Sequence, residues 1–235
     1  STLSYNYPSI KAWKDLAVHR TGTWQGKHNF ETDGITVIMG RAHFISPHEI
    51  TVNRHHLNAE NFLIATGSHD FVPAIDNVDK VGYITFKEAV NLTRPPKSLA
   101  IIGAGAVGCE FAELFSTFGT KVHLIDVTSR ILAKEDEEVS EVIKQQLEQR
   151  RNVNILTNSK VIWAEKDGLA KRVHYQQGHD MKSIKVDEIL ITSGKLANVD
   201  IGLENANVVY TPKSIAVNEF MQTSAKNIYA AGDVA

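Results

Sequence analysis

The chain has 235 residues, 25 Lys+Arg against 27 Asp+Glu, and a formal net charge of -2. That length makes one large domain or two modest ones, and a near-neutral balance without a long basic run argues against nucleic acid as a partner. No apolar run approaches the ~20 residues that span a bilayer, no signal-peptide pattern opens the chain, and its single cysteine, Cys109, excludes an internal disulfide. The expectation is a soluble, cytoplasmic α/β protein.

Residues 1–30 carry aromatics and a mixed periodicity through Ile10, Trp13, Leu16 and Ala17, which predicts one helix. From Gly34 the text changes to short β segments at 35–39, 50–53 and 61–65, separated by polar turns containing Pro47 and His55-His56. Residues 68–81 read as a connector with Pro73, and 86–92 as a short helix closed by Pro95-Pro96.

The most informative stretch is 97–126. An apolar run at 99–102 meets Gly103, Gly105 and Gly108 in G-x-G-x-x-G register and passes into a helix whose Phe111, Leu114, Phe115 and Phe118 share one face, with Gly119 as its stop. Gly103 permits the sharp turn, Gly105 lets the backbone approach a pyrophosphate, and Gly108 lets helix and strand pack closely. The phosphates then meet free N–H groups at the positive end of the helix. A second apolar run, 122–125, ends in Asp126, 23 positions after Gly103. A carboxylate there accepts both ribose hydroxyls of an adenosine and repels a 2′-phosphate, which predicts NAD rather than NADP. The candidate cofactor contacts are therefore Gly103, Gly105, Ala106, Val107 and Gly108 in the turn, with Asp126 and Val127 beyond the second strand.

A helix follows from about Asp136, with Glu137 and Glu138 at its positive end, Arg150 and Arg151 at its negative end, and Val139, Val142, Ile143 and Leu147 as its apolar face. Strands are expected at 153–156, 161–165, 170–175 and 188–192. The ten histidines show no metal-ligand spacing. Cys109 reads as a small packed residue, and Arg130 as either an adenosine contact or surface cover.

Two stretches look alike. NFLIATG at 61–67 matches EILITSG at 188–194, and GRAHF at 40–44 resembles SKVIW at 159–163. In the second copy the glycine turn lies 91 residues ahead of the closing Gly194, so the first copy's own turn is expected before residue 1. The chain also stops at NIYAAGDVA, inside a strand-turn pattern. Both observations lead us to expect a central piece of a longer protein.

Ala65-Thr66-Gly67, the Gly103 motif followed by Glu110, Ser193-Gly194-Lys195, and Ala231-Gly232-Asp233 together resemble the pyridine nucleotide-disulfide oxidoreductases, flavoproteins of the dihydrolipoamide dehydrogenase and mercuric reductase type. The resemblance implies a Rossmann-like NAD-binding domain with a parallel sheet and β-meander, plus an incomplete FAD-binding domain of the same type. Its divisions fall at 1–72 (partial FAD-binding domain), 73–198 (NAD-binding domain) and 199–235 (return segment to the FAD-binding domain). It implies NAD and FAD as cofactors. Ala65, Thr66 and Gly67 then lie near the flavin; Gly232 and Asp233 serve its ribityl-diphosphate; Ala42 and Val161 give backbone contacts to the FAD and NAD adenines; and Gly194 belongs to the cofactor-binding set. Glu110 is the implied catalytic residue, near nicotinamide and flavin, with helix capping as the alternative. Ala106 stands where some relatives carry a tyrosine gate, so that face is expected to be open.

The redox Cys-x4-Cys pair and the C-terminal dimerisation domain with its histidine do not occur in these residues, and the family's Gly-Arg-x-Pro-Asn is here Gly194-Lys195-Leu196-Ala197-Asn198. A point charge replaces a planar fork, which puts any bidentate contact there in doubt. The implied parent is a homodimeric flavoenzyme passing hydride from NADH to FAD and on to a disulfide or metal acceptor. The alternative is a catalytically incomplete NAD(H)-binding module.

Overall fold

The computed structural model describes residues 5–21 and 26–235, with the side chain of Arg150 outside that set. The first helical segments are α1 (Tyr7–Arg20) and α2 (Gly26–Thr32), so the region expected to hold one helix holds two. Neither buries a residue. Ile10, Trp13 and Leu16 are all exposed, so the periodicity there does not mark a core face. Residues 1–4 and 22–25 of that region lie outside the described residues.

No strand forms at 35–39; Ile35, Ile38 and Met39 are exposed, and the Met39 carbonyl accepts the Asn53 side-chain amide instead of a ladder partner. The first sheet is β1 (Ala42–Ser46), β2 (Glu49–Val52) and β3 (His55–Asn58), an antiparallel meander. His55 and His56 thus lie in a strand, because the tight turn falls two residues earlier, where Asn53 adopts φ 56°. β4 (Phe62–Ile64) follows, then β5 (Ser68–Asp70), α3 (Val78–Val81) and α4 (Phe86–Ala89). The expected connector therefore contains a strand and a short helix. Thr85 and Glu88 cap the start of α4 with a reciprocal capping box.

β6 (Ser98–Ile102), α5 (Ala106–Thr117) and β7 (Lys121–Ile125) form the strand-helix-strand expected from the glycine pattern. After α6 (Glu137–Gln145) come β8 (Asn154–Leu156), a second meander of β9 (Ser159–Asp167), β10 (Ala170–Gln177) and β11 (Asp180–Val186), then β12 (Glu188–Ile191), β13 (Lys195–Ala197) and β14 (Ile228–Ala230). β11 was not expected; its sequence, DMKSIKV, is mostly polar because most of its side chains face outward.

α6 differs from the expected face by one residue. Val139 and Val142 are exposed, whereas Ser140 and, past the end of the helix, Leu147 are buried and Ile143 packs against the same core. The small Ser140 side chain donates to the Ile131 carbonyl at 2.7 Å and lets that side approach. A π turn at Gln146–Arg150 then turns Leu147 inward. Arg151 donates to Glu113 on α5 at 2.7 Å, so it ties two segments together beyond any interaction with the helix dipole.

By internal contacts the chain divides into two units, residues 1–17 with 71–194 and residues 18–70 with 195–235. The first is built on a parallel sheet in the order β12-β6-β7-β8. Alternate residues of β6 explain why it reads as an unbroken apolar run: Leu99 and Ile101 join Phe111, Phe115 and Leu124 in one core, while Ala100 and Ile102 join Val161, Ala164 and Val173 of the meander in another. α4, α5 and α6 with its π turn pack on one face of the sheet, and the β9–β11 meander with Val78 and Val81 of α3 on the other. The second unit carries the first meander and a parallel pair, β4 with β14, over a core of Phe44, Ile64, Leu203, Ile215 and Ile228. β5 pairs with β13 in the same unit. Both units thus follow a three-stranded meander with a strand that enters a parallel pairing, as the two sequence copies indicate.

Candidate dinucleotide site

β6 ends at Ile102 and the chain turns at Gly103, whose φ of 109° lies in the region glycine favours. A Cβ on Gly103 would lie 2.6 Å from the Thr192 carbonyl oxygen, and one on Gly108 only 1.9 Å from the Gly103 carbonyl oxygen. A Cβ on Gly105 would meet nothing within 4 Å. Two glycines are therefore required by packing against the protein, and the middle one faces open space. The end of β12 fixes the turn from behind: Thr192 N and Ser193 Oγ donate to the Ile102 carbonyl at 2.8 and 3.0 Å, and Thr192 Oγ1 to the Gly103 carbonyl at 2.8 Å. α5 starts immediately after Gly105 with no side-chain cap. Its first amides are left for an anion, with the helix dipole behind them.

Asp126 follows β7, beside this turn. Its Oδ2 accepts the Ala104 amide at 2.6 Å, and its Oδ1 accepts the Thr128 amide at 2.8 Å and the Thr128 hydroxyl at 2.6 Å. The carboxylate thus braces the glycine turn through Ala104 and the following loop through Thr128. Val127 is 65% exposed. Ala106, Val107 and Glu110 are exposed on the first turns of α5, and Gly194 is exposed at the end of β12 with its carbonyl accepting Phe71 N at 2.9 Å. Val161 is buried in β9, which leaves only its backbone available to a ligand. Arg130 donates to the Leu132 and Ala133 carbonyls at 3.4 and 3.2 Å, which makes it a brace of its own loop.

Cys109 is buried, and burial, with Asp126 and Glu110 adding to it, pushes its thiol up to about 12. Such a thiol is almost never the reactive thiolate. The native protein should resist iodoacetamide at pH 8 and become alkylated at this one position in denaturant; rapid modification of the folded chain would contradict the burial.

In the second unit, Asp233 accepts the Ser68 hydroxyl at 2.8 Å and lies 3.5 Å from Lys195 Nζ; these two, the hydroxyl first, hold its carboxyl below the usual range. Thr66 Oγ1 donates to the Asn198 carbonyl at 2.8 Å, and Asn198 Nδ2 donates back to the Thr66 carbonyl at 2.8 Å. Gly67 and Gly232, with φ 68° and 82°, have open space where a Cβ would be. Ala65 is exposed on the segment leading into this cluster, while Ala42 opens β1. Lys195 thus serves as a point-charge partner to Asp233. Ser68 and Thr128 were not singled out from the sequence; for Thr128 alone a signal existed, a hydroxyl two residues after a strand-end aspartate.

An open cleft of about 600 Å³ lies at the other end of the parallel sheet, lined by Lys121, His123, Arg151 and Asn154 among others. His123 is buried there, with Nδ1 accepting Asn154 Nδ2 at 2.9 Å. Burial first, then Lys121, lowers its pKa. The unfolded chain takes up this proton near pH ~6.5 and the native chain only at lower pH, so the stability contribution is complete above that value and is lost as pH falls through the native one. The melting temperature should drop between pH 7.5 and 5.5, and His123→Gln should flatten the drop; an equal slope in the variant would assign the loss elsewhere. Among the described residues no group of three His, Cys, Asp or Glu side chains is placed to hold a metal ion.

Residues 11–235 match the profile of the pyridine nucleotide-disulphide oxidoreductases. The chain belongs to the pyridine nucleotide-disulphide oxidoreductase family. FAD and NAD(P)H are the cofactors of this family. The chain is similar to mercuric reductase of Staphylococcus aureus, 34% identical over 87% of this chain and 38% of that protein. It is also similar to dihydrolipoyl dehydrogenase of Bacillus subtilis, 32% identical over 85% of this chain and 44% of that one. Among solved structures of flavoprotein disulfide reductases, the Cu(II) complex of HOCl-induced RclA from Escherichia coli superposes with TM-score 0.87 and 28% identity over 98% of this chain and 52% of that one. The chain thus spans less than half the length of these two curated pyridine nucleotide-disulphide oxidoreductases.

Proposed function

We propose that this chain supplies the NADH-binding unit, and part of the FAD-binding unit, of a flavin-dependent oxidoreductase that delivers electrons to a disulfide or metal acceptor. The observation that carries the reading is Gly105: it is the open glycine between two that packing requires, at the uncapped start of α5 and beside Asp126. That arrangement fits a pyrophosphate on the α5 amides and an adenosine ribose at Asp126. In the second unit, Asp233 with Gly232 and Gly67 fits the polar part of FAD, with Thr66, Ala65 and Ala42 contributing backbone. When bound, NADH supplies a hydride and FAD receives it. The protein's own part is to bind and orient: Gly103, Gly105, Ala106, Val107 and Gly108 hold the phosphates, Asp126 and Val127 the ribose, Val161 and Gly194 the nucleotide's surroundings, and Glu110 the charge near the reacting rings. In the same reading the protein works in the cytoplasm as a homodimer.

Cys109 favours a second reading for these 235 residues taken alone, that of a nucleotide-binding module without turnover. It is the one cysteine, and it is buried with its thiol pushed up to about 12. Electrons arriving in this chain have no dithiol to reduce. Mixing the purified chain with FAD, desalting it and recording the visible spectrum, then titrating NADH by fluorescence, tests both units. Retained flavin and saturable NADH binding are expected, without oxidation of excess NADH by a disulfide. Neither cofactor binding would overturn the proposal.

A further inference from the structure

We propose that Thr128 is a positioning residue that sets the nucleotide selectivity of this site by holding the Asp126 carboxylate in one orientation. The inference rests on the assignment of residues 103–126 as a dinucleotide site. Asp126 is pinned through its backbone, its amide donating to the Leu156 carbonyl at 2.9 Å and its carbonyl accepting Ser159 N at 2.8 Å. Those bonds leave the side chain free to rotate. Rotation is stopped by three donors, the Ala104 amide on Oδ2 and the amide and hydroxyl of Thr128 on Oδ1. Thr128 is itself anchored, since its carbonyl accepts Asn158 N at 2.8 Å.

The Thr128 hydroxyl has one proton and two acceptors in reach, Asp126 Oδ1 at 2.6 Å and the Arg130 carbonyl at 2.8 Å. An ionised carboxylate is the stronger acceptor, so the proton lies toward Asp126. A carboxylate offers about four acceptor sites. With both sites of Oδ1 taken by Thr128 and one of Oδ2 by Ala104, a single site on Oδ2 is left for a ligand. Asp126 therefore accepts one ribose hydroxyl rather than both, and the geometry assigns much of the discrimination to a fixed negative charge facing the 2′ position. A nucleotide with a 2′-hydroxyl gains a hydrogen bond; one with a 2′-phosphate meets repulsion that a freely rotating carboxylate would relieve.

Removing the hydroxyl while keeping the volume, Thr128→Val, should weaken NADH binding and relax the exclusion of NADPH. The ratio of their dissociation constants should narrow by roughly fivefold, the size of one ordinary hydrogen bond. Thr128→Ser restores the donor and should return the ratio to that of the wild type. Fluorescence titrations of the 235-residue chain with NADH and NADPH, beside thermal melts, read both. A merely structural threonine would lower the melting temperature and leave the ratio unchanged in Thr128→Val, which would overturn the inference while the dinucleotide site stands. Should Thr128→Val not fold, Thr128→Cys, with only a weak donor, is read the same way. A wild-type chain that binds neither nucleotide would overturn the site and the inference together.

Discussion

Gly108→Ala should strongly destabilise the unit built on the parallel sheet, whereas Gly105→Ala should leave it stable and weaken its hold on a dinucleotide. The added Cβ at Gly108 would sit 1.9 Å from a backbone carbonyl oxygen, that of Gly103, and cannot be relieved by rotating a side chain. α5 would have to lift off β6, opening the core shared by Phe111, Phe115, Leu99 and Ile101. Overpacking that displaces backbone should cost about 3 kcal/mol or more. Gly105 has φ −74° and empty space on its Cβ side, so alanine is tolerated by the fold. The methyl would instead stand between the backbone and the pyrophosphate, with an expected loss of about tenfold or more in NADH affinity. Circular dichroism melts and NADH titrations of the two variants separate the effects. Equal melting temperatures for wild type and Gly108→Ala would refute the close packing, and unaltered NADH affinity in Gly105→Ala would refute the phosphate site.

Asp126→Asn should narrow the NADH over NADPH preference by roughly ten- to a hundredfold, the size of a hydrogen bond to a charged group. The same change should lower stability. Both carboxylate oxygens are acceptors, Oδ2 for the Ala104 amide and Oδ1 for Thr128. An asparagine has one oxygen and one NH2 group, so one of these positions would set donor against donor. A loss of about 1 to 3 kcal/mol is expected from the donor left unpaired. Unchanged selectivity in a folded variant would mean the carboxylate does not face the ribose.

The strand-turn-helix at 98–117 was legible because each of its requirements is local: an apolar strand, glycines at fixed offsets, and a helical period; of the expected helix face Phe111 and Phe115 are buried, whereas Leu114 is exposed and Phe118 caps the end. Gly119, with φ 84°, ended the helix as expected. The second meander was legible as a hairpin but not as three strands, since β11 exposes mostly polar side chains. The segment at 35–39 has strand-forming residues and no neighbour to pair with, a condition that only the folded chain reveals. The α6 face was missed by one residue because a serine with a buried hydroxyl partner outcompeted two valines. At the candidate site, Asp126 was singled out by its spacing. Its partners were not singled out: the Ala104 amide, 22 residues away, reaches it only after the turns close, and the Thr128 hydroxyl left only the local i+2 pattern. The Ser68–Asp233 bond joins positions 165 residues apart and left no periodic trace.

The wall behind the glycine turn is contributed by Thr192 and Ser193, 89 to 91 positions downstream of the Ile102 and Gly103 carbonyls they bind. β12 is the edge strand of its sheet, steadied on its outer side by Ile84, whose amide donates to Ile189 and whose carbonyl accepts Ile191 N. The G-x-G-x-x-G motif is therefore not self-sufficient. Its backing strand arrives from far along the chain, a long-range closure of the kind that slows folding. Fraying of β12 would remove the wall behind the turn, so NADH bound at the proposed site should be recorded as slowed amide exchange at 189–192, on the strand of the sheet farthest away in the sequence.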